Sequence, residues 1–125
     1  MNLLLDTHIL LWWMADAPQL TEEAREKIAD PDNTVFVSAA TVWEMGIKQA
    51  LGKLKVPENV VDLIRSEGFD ELVISGMHAQ LAAGLPNHHR DPFDRMLIAQ
   101  AKLEGLLLIT HDSAIQNYDA KILMV

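Results

Sequence analysis

Hydrophobic positions along this chain fall into short unbroken runs that alternate with longer helical stripes. "NLLLD" at 2–6 is an unbroken run, as expected of a strand covered on both faces. "HILLWWMA" at 8–15 is apolar nearly all round and predicts a helix. "TEEAREKIA" at 21–29 has helical spacing and opens with Thr21 and two acids. A strand follows at 34–38 (TVFVS), then a helix at 39–52 closed by Gly52. Pro57 and Gly68 bracket a helix over 57–68. The remaining elements are a strand at 71–75, a helix at 76–84, a loop "LPNHHR" and a helix at 91–105. The chain then reads as a strand at 106–110, a short helix at 112–118 and a final strand at 121–125. Strands that alternate with helices predict an α/β fold: three α/β/α layers around a parallel sheet of four to five strands.

Length and composition narrow this picture. A chain of 125 residues, half of them hydrophobic, suits one domain over residues 1–125. It has no cysteine, which excludes disulfides, thiolate nucleophiles and zinc–sulfur sites. The apolar start is broken by Asp6 and His8 and lacks a basic leader, so it does not read as a signal peptide. No run approaches the ~20 apolar residues that span a bilayer. A cytoplasmic protein is expected. The formal net charge is −8, whereas a protein that grips nucleic acid through phosphates alone is usually basic. A bound cation would reverse that objection.

Four acids stand where such a cation could bind. Open parallel sheets take ligands beyond the carboxyl ends of their strands. Asp6 ends the first predicted strand and Asp112 lies just past the fourth. Either could instead cap the helix that follows it. Glu44 shares a helical face with Ala40, Ile47 and Leu51. The competing reading is a surface Glu44–Lys48 pair, worth a few tenths of a kcal/mol. Asp94 continues the stripe of Ile98, Ala101 and Gly105, so it points towards the core. Asp91, followed by Pro92, reads mainly as an N-cap. The helix dipole favours Asp94 by about 0.3–1 kcal/mol, less than the several kcal/mol that an unpaired buried charge costs. Arg90, Arg95 or a divalent ion must neutralise it. If the four acids converge, they form a site for Mg²⁺ or Mn²⁺, hard cations that prefer carboxylate oxygens.

"LLLDTH", "WEMGIK", "HRDPFDRMLIAQA" and "LLLITHD", in this order, resemble the successive motifs of PIN-domain ribonucleases, more narrowly the VapC toxins of toxin–antitoxin pairs. The resemblance runs over essentially the whole chain. It implies a PIN-like domain and a metal-dependent endoribonuclease that leaves a 5′-phosphate and a 3′-hydroxyl. Asp6, Glu44, Asp94 and Asp112 would be its catalytic, metal-holding quartet, with Thr110 and Thr7 in support. The implied partners are an RNA substrate, a cognate antitoxin and a second copy of the chain. His111 stands where relatives often carry Arg or Asn. Lys48, His111 and Arg95 are candidate substrate contacts.

Other features carry less. His88 and His89 are adjacent in a loop, where their side chains would normally diverge, so a histidine metal site is not expected. His8 is placed at the cleft rim. At least one of Trp12 and Trp13 is expected to contact a partner, and Lys48, Lys53 and Lys55 could guide an RNA backbone. A phosphatase with a strand-end aspartate nucleophile needs a second aspartate where this chain has His8. A signalling receiver domain needs an acid ending the third strand, and "ELVISGMH" offers none. A non-enzymatic binding module, its acids only capping helices, is the remaining alternative.

Overall fold

The computed structural model describes residues 1–87 and 91–125. Five strands, β1 (Asn2–Leu5), β2 (Thr34–Ser38), β3 (Asp70–Leu72), β4 (Leu107–Thr110) and β5 (Ile122–Met124), form one sheet in the order β3-β2-β1-β4-β5. Every pairing is parallel. Among the described residues six α-helices accompany them: α1 (Thr7–Met14), α2 (Glu22–Ala29), α3 (Ala39–Ala50), α4 (Val60–Ser66), α5 (Gly76–Gly84) and α6 (Pro92–Glu104). A 3₁₀ turn covers Ser113–Asn117.

The unbroken run at the N-terminus has the physical reason anticipated for it. Side chains alternate across a strand, so Leu3 and Leu5 point to one face and Leu4 to the other. Leu3 and Leu5 join Val35, Val37 and Ile109 under α1 to α4, through Ile9, Leu10, Ala24, Ile28, Met45 and Ile64. Leu4 joins Leu108 under α6, through Leu97, Ile98 and Ala101, with Leu85 and Ile115. These two cores make the three layers of the expected α/β/α arrangement. Among the described residues no helix is long and apolar enough to cross a membrane.

Most helix starts are fixed by a side chain that accepts an otherwise orphaned N–H. Asp6, Thr21, Ser38, Ser75 and Asp91 cap α1, α2, α3, α5 and α6, and Asp112 caps the 3₁₀ turn. Gly105 ends α6 with φ +66°, the left-handed conformation glycine adopts at least cost. Two elements differ from expectation. α4 begins at Val60, not Pro57, because Asn59 holds φ −108° and ψ 47°, outside the helical region. β3 stops at Leu72, not at residue 75. Its sole neighbour in the sheet is β2, and that strand ends at Ser38, where α3 begins. Val73 and Ile74 therefore have no ladder to join and are exposed.

Candidate active site

The order β3-β2-β1-β4-β5 puts a topological switch between β1 and β4, since the chain builds outward from β1 on one side and then crosses to the other. A crevice opens at the carboxyl ends of strands at such a point. Asp6 follows β1 and Asp112 follows β4, so both stand at its mouth.

Asp6 is 5% exposed. Its Oδ1 accepts the Ile9 N–H at 3.0 Å, the cap of α1. Its Oδ2 accepts the Thr110 hydroxyl and, at 3.3 Å, the His111 N–H. Burial pushes its pKa above the ordinary value of 3.8, while the bonds from Thr110, Ile9 and His111 and the nearby His8 pull the other way. Thr110 is itself fully buried. Its oxygen also accepts the Asp112 N–H at 3.1 Å, so one hydroxyl links the first acid to the fourth. Asp112 in turn accepts the Ala114 N–H at 2.9 Å. For both residues capping and cleft placement are satisfied together.

Glu44 projects from the middle of α3 and is 4% exposed. Thr7, the first residue of α1, donates its hydroxyl to Glu44 Oε1 at 2.5 Å. The other oxygen, Oε2, pairs with the Lys48 ammonium one turn later. The Lys48 pKa is raised, first by this hydrogen bond, with the charges of Glu44, Asp91 and Asp94 adding to it. Glu44 is thus both buried in the cleft and paired with Lys48, where the sequence presented these as alternatives. The predicted stripe holds at Ala40 and Glu44, thins at half-buried Ile47 and fails at Leu51, which is exposed at the end of the helix.

On α6, Asp91 Oδ1 accepts the N–H groups of Phe93 at 2.8 Å and Asp94 at 3.4 Å. Pro92, lacking an N–H, takes the first helical position at no cost. That cap sets the angle at which Asp94, in the first turn, enters the cleft. The result is a cleft of about 410 Å³ lined by Asp6, Glu44, Asp91, Asp94 and Asp112, with Thr7, His8, Lys48, His111 and Ser113. Among the described residues, five carboxyl groups therefore face one ammonium.

All four acids of the expected quartet line this space, and Lys48 and His111 are with them. Arg95 is not. Its guanidinium donates to the carbonyls of Ala82, Leu85 and Pro86 at 2.9, 2.9 and 3.1 Å, closing the C-terminal end of α5. Lys53 is exposed away from the cleft. Lys55 lines an apolar groove of about 460 Å³ with Leu11, Trp12, Leu54 and Pro57. The His111 Nδ1 lies 2.7 Å from the Val125 main-chain oxygen and its ring packs on Trp12 at 5.0 Å. His88, His89 and Arg90 lie outside the described residues. Sequence reasoning missed Ser113 and the second role of Asp91; the signal for both was adjacency to a quartet acid or to its helix start.

An all-oxygen donor set of this kind suits a hard divalent cation. Among the described residues no three carboxyl or imidazole groups close on one point as ligands. Asp6 is turned to Thr110, Glu44 to Thr7 and Lys48, and Asp112 to the Ala114 N–H. The residues fit a metal by chemistry and by their common cleft.

A parallel sheet in this order, with acids at its switch point, defines an α/β protein with a carboxylate-lined cleft. The sequence profile of the PIN domain matches residues 3–121, and the chain belongs to that family. It is 27% identical over 125 residues to Ribonuclease VapC22 of Mycobacterium tuberculosis, covering 94% of this chain and 92% of that protein. Its fold resembles VapBC2 from Rickettsia felis, solved bound to a DNA fragment from the promoter, with a TM-score of 0.75, 17% identity and coverage of 100% and 99%. It also resembles VapBC-1 from nontypeable Haemophilus influenzae, with a TM-score of 0.62, 20% identity and coverage of 99% and 98%.

Proposed function

We propose that this protein is a divalent-metal-dependent endoribonuclease and the toxin of a toxin–antitoxin pair. The observation that carries the reading is the meeting of Asp6, Glu44, Asp94 and Asp112, from four separate segments, in one cleft of a PIN domain. The ribonuclease name of the Mycobacterium tuberculosis relative supports it. Asp6, Glu44, Asp94 and Asp112 would hold Mg²⁺ or Mn²⁺. When bound, such an ion supplies an activated water and charge stabilisation for in-line displacement at phosphorus. The new bond joins the water oxygen to phosphorus, and the bond to the 3′ oxygen breaks, leaving a 5′-phosphate and a 3′-hydroxyl.

The chain's own residues prepare this. Thr110 and the His111 N–H hold Asp6 in one rotamer. Thr7 holds Glu44, and the Asp91 cap presents Asp94. Lys48 and His111 stand on the cleft wall, where they meet the substrate phosphate. The excess of carboxylates repels RNA until a cation arrives, which accounts for a nuclease of net charge −8.

The fold relatives solved as VapBC complexes support a cognate antitoxin as partner. The apolar groove beside half-buried Trp12 is the surface we assign to it. Self-association into a homodimer and a cytoplasmic location complete the proposal. Three of the five cleft acids also cap helices, which favours a second reading, a binding module with structural acids. The N-caps are Asp6, Asp91 and Asp112, while Asp94 lies within the first turn of α6, so Asp94→Asn separates the two. Incubated with single-stranded RNA and Mn²⁺, the folded variant is expected to lose cleavage; unchanged cleavage removes the mechanism.

A further inference from the structure

Among the described residues Lys48 supplies the one ammonium that lines the acidic cleft. Its Nζ pairs with Glu44 Oε2, and Thr7 already occupies Oε1. Each oxygen of the carboxylate therefore has a partner within the protein. The two side chains differ in exposure, 34% for Lys48 and 5% for Glu44. Glu44 is fixed from two sides, whereas the lysine is reached by water along its stem. That stem is flexible, so the ammonium can leave without disturbing α3. The charges of Asp91 and Asp94 also act on it, so its attraction is to the acidic cleft as a whole.

We propose that Lys48 is a tethered counter-ion of the metal-free cleft, which a divalent cation must displace from Glu44 before Glu44 can serve as a ligand. The proposal rests on the metal-nuclease reading above. A carboxylate oxygen in contact with an ammonium cannot at the same time hold a divalent ion without bringing two cations together. Binding the metal therefore includes the cost of breaking the Lys48–Glu44 pair. In return, the site stays assembled without metal, because part of its negative charge is neutralised from within. The displaced ammonium remains on the cleft wall, where the substrate phosphate is the next anion it meets.

The test is calorimetric titration of Mn²⁺ into the metal-stripped full chain, with thermal melts alongside. Lys48→Met is expected to bind Mn²⁺ about tenfold tighter than wild type, equivalent to about 1.4 kcal/mol. It should also melt lower without metal and gain more on adding it. Lys48→Arg keeps the charge and should bind as wild type does. Should Lys48→Met fold poorly, Lys48→Gln is expected to shift affinity in the same direction. Equal or weaker Mn²⁺ binding by the neutral variants overturns the proposal, because Lys48 would then only be bracing Glu44. Asp94→Asn separates this failure from the larger one. Wild-type binding that Asp94→Asn abolishes upholds the metal site whatever Lys48 does, whereas no binding by wild type overturns both.

Discussion

Replacing Thr110 by valine asks what the buried hydroxyl between two acids contributes. Valine keeps the shape and the β-branched stiffness suited to β4, so the change removes polarity with little change of volume. Two hydrogen bonds disappear: the one donated to Asp6 Oδ2 and the one accepted from the Asp112 N–H. A bond to a charged group contributes about 1.5–3 kcal/mol and one between neutral groups about 0.5–1.5 kcal/mol, so Thr110→Val should cost about 2–4 kcal/mol. In a domain of this size that lowers the melting temperature by about 10 °C. Asp6 also keeps less compensation for its burial, with the Ile9 and His111 N–H groups still donating to it. The same substitution in an Asp6→Asn background should cost less, about 1–3 kcal/mol, because the charge that strengthened one of the two bonds is gone. Urea unfolding of all four proteins, in chelator at neutral pH, closes the double-mutant cycle. If the two costs add within about 0.5 kcal/mol, Thr110 does not act through the Asp6 charge and the account of the first acid is wrong.

Two further outcomes follow from the caps and the buried charge. Burial raises the Asp6 pKa above 3.8, so the folded chain holds this proton more tightly than the unfolded chain does. The stability from Asp6 is therefore complete below pH 3.8 and is lost as pH rises through the folded value. In metal-free melts across pH, Asp6→Asn should gain on wild type as pH rises over that window; a pH-independent gap contradicts the assignment. Asp91→Ala removes the cap of α6 and should cost about 1 kcal/mol, read as a lower urea midpoint with unchanged slope. A full loss of folding instead would mean that Asp91 holds more than a helix end.

Punctuation made α6 legible almost to the residue, since Asp91-Pro92 and Gly105 state its start and stop in local chemistry. β1 was equally plain because a strand buried on both faces has little choice but to be apolar throughout. β3 was not. Its length is set by where β2 ends, a fact held by a different segment. The four acids were visible as breaks in apolar patterns, and Asp6 and Asp112 were visible as candidates for either a cap or the cleft. What tied them together was not legible: the Thr7–Glu44 bond spans 37 positions and depends on how α1 crosses α3. Arg95 shows the converse. Its place beside Asp94 suggested charge pairing or phosphate contact, but no local pattern announced that it would also close the carbonyls ending α5.

The Thr110–Asp6 bond joins residues 104 positions apart, and β1, made first, waits for β4 to complete one of its two edges. Contacts this distant in sequence form late, after the entropy of closing the long intervening loop has been met. A chain emerging from the ribosome therefore carries its first acid long before the strand that locks it has been synthesised. Until then the cleft lacks the side that β4 and the following Asp112 supply.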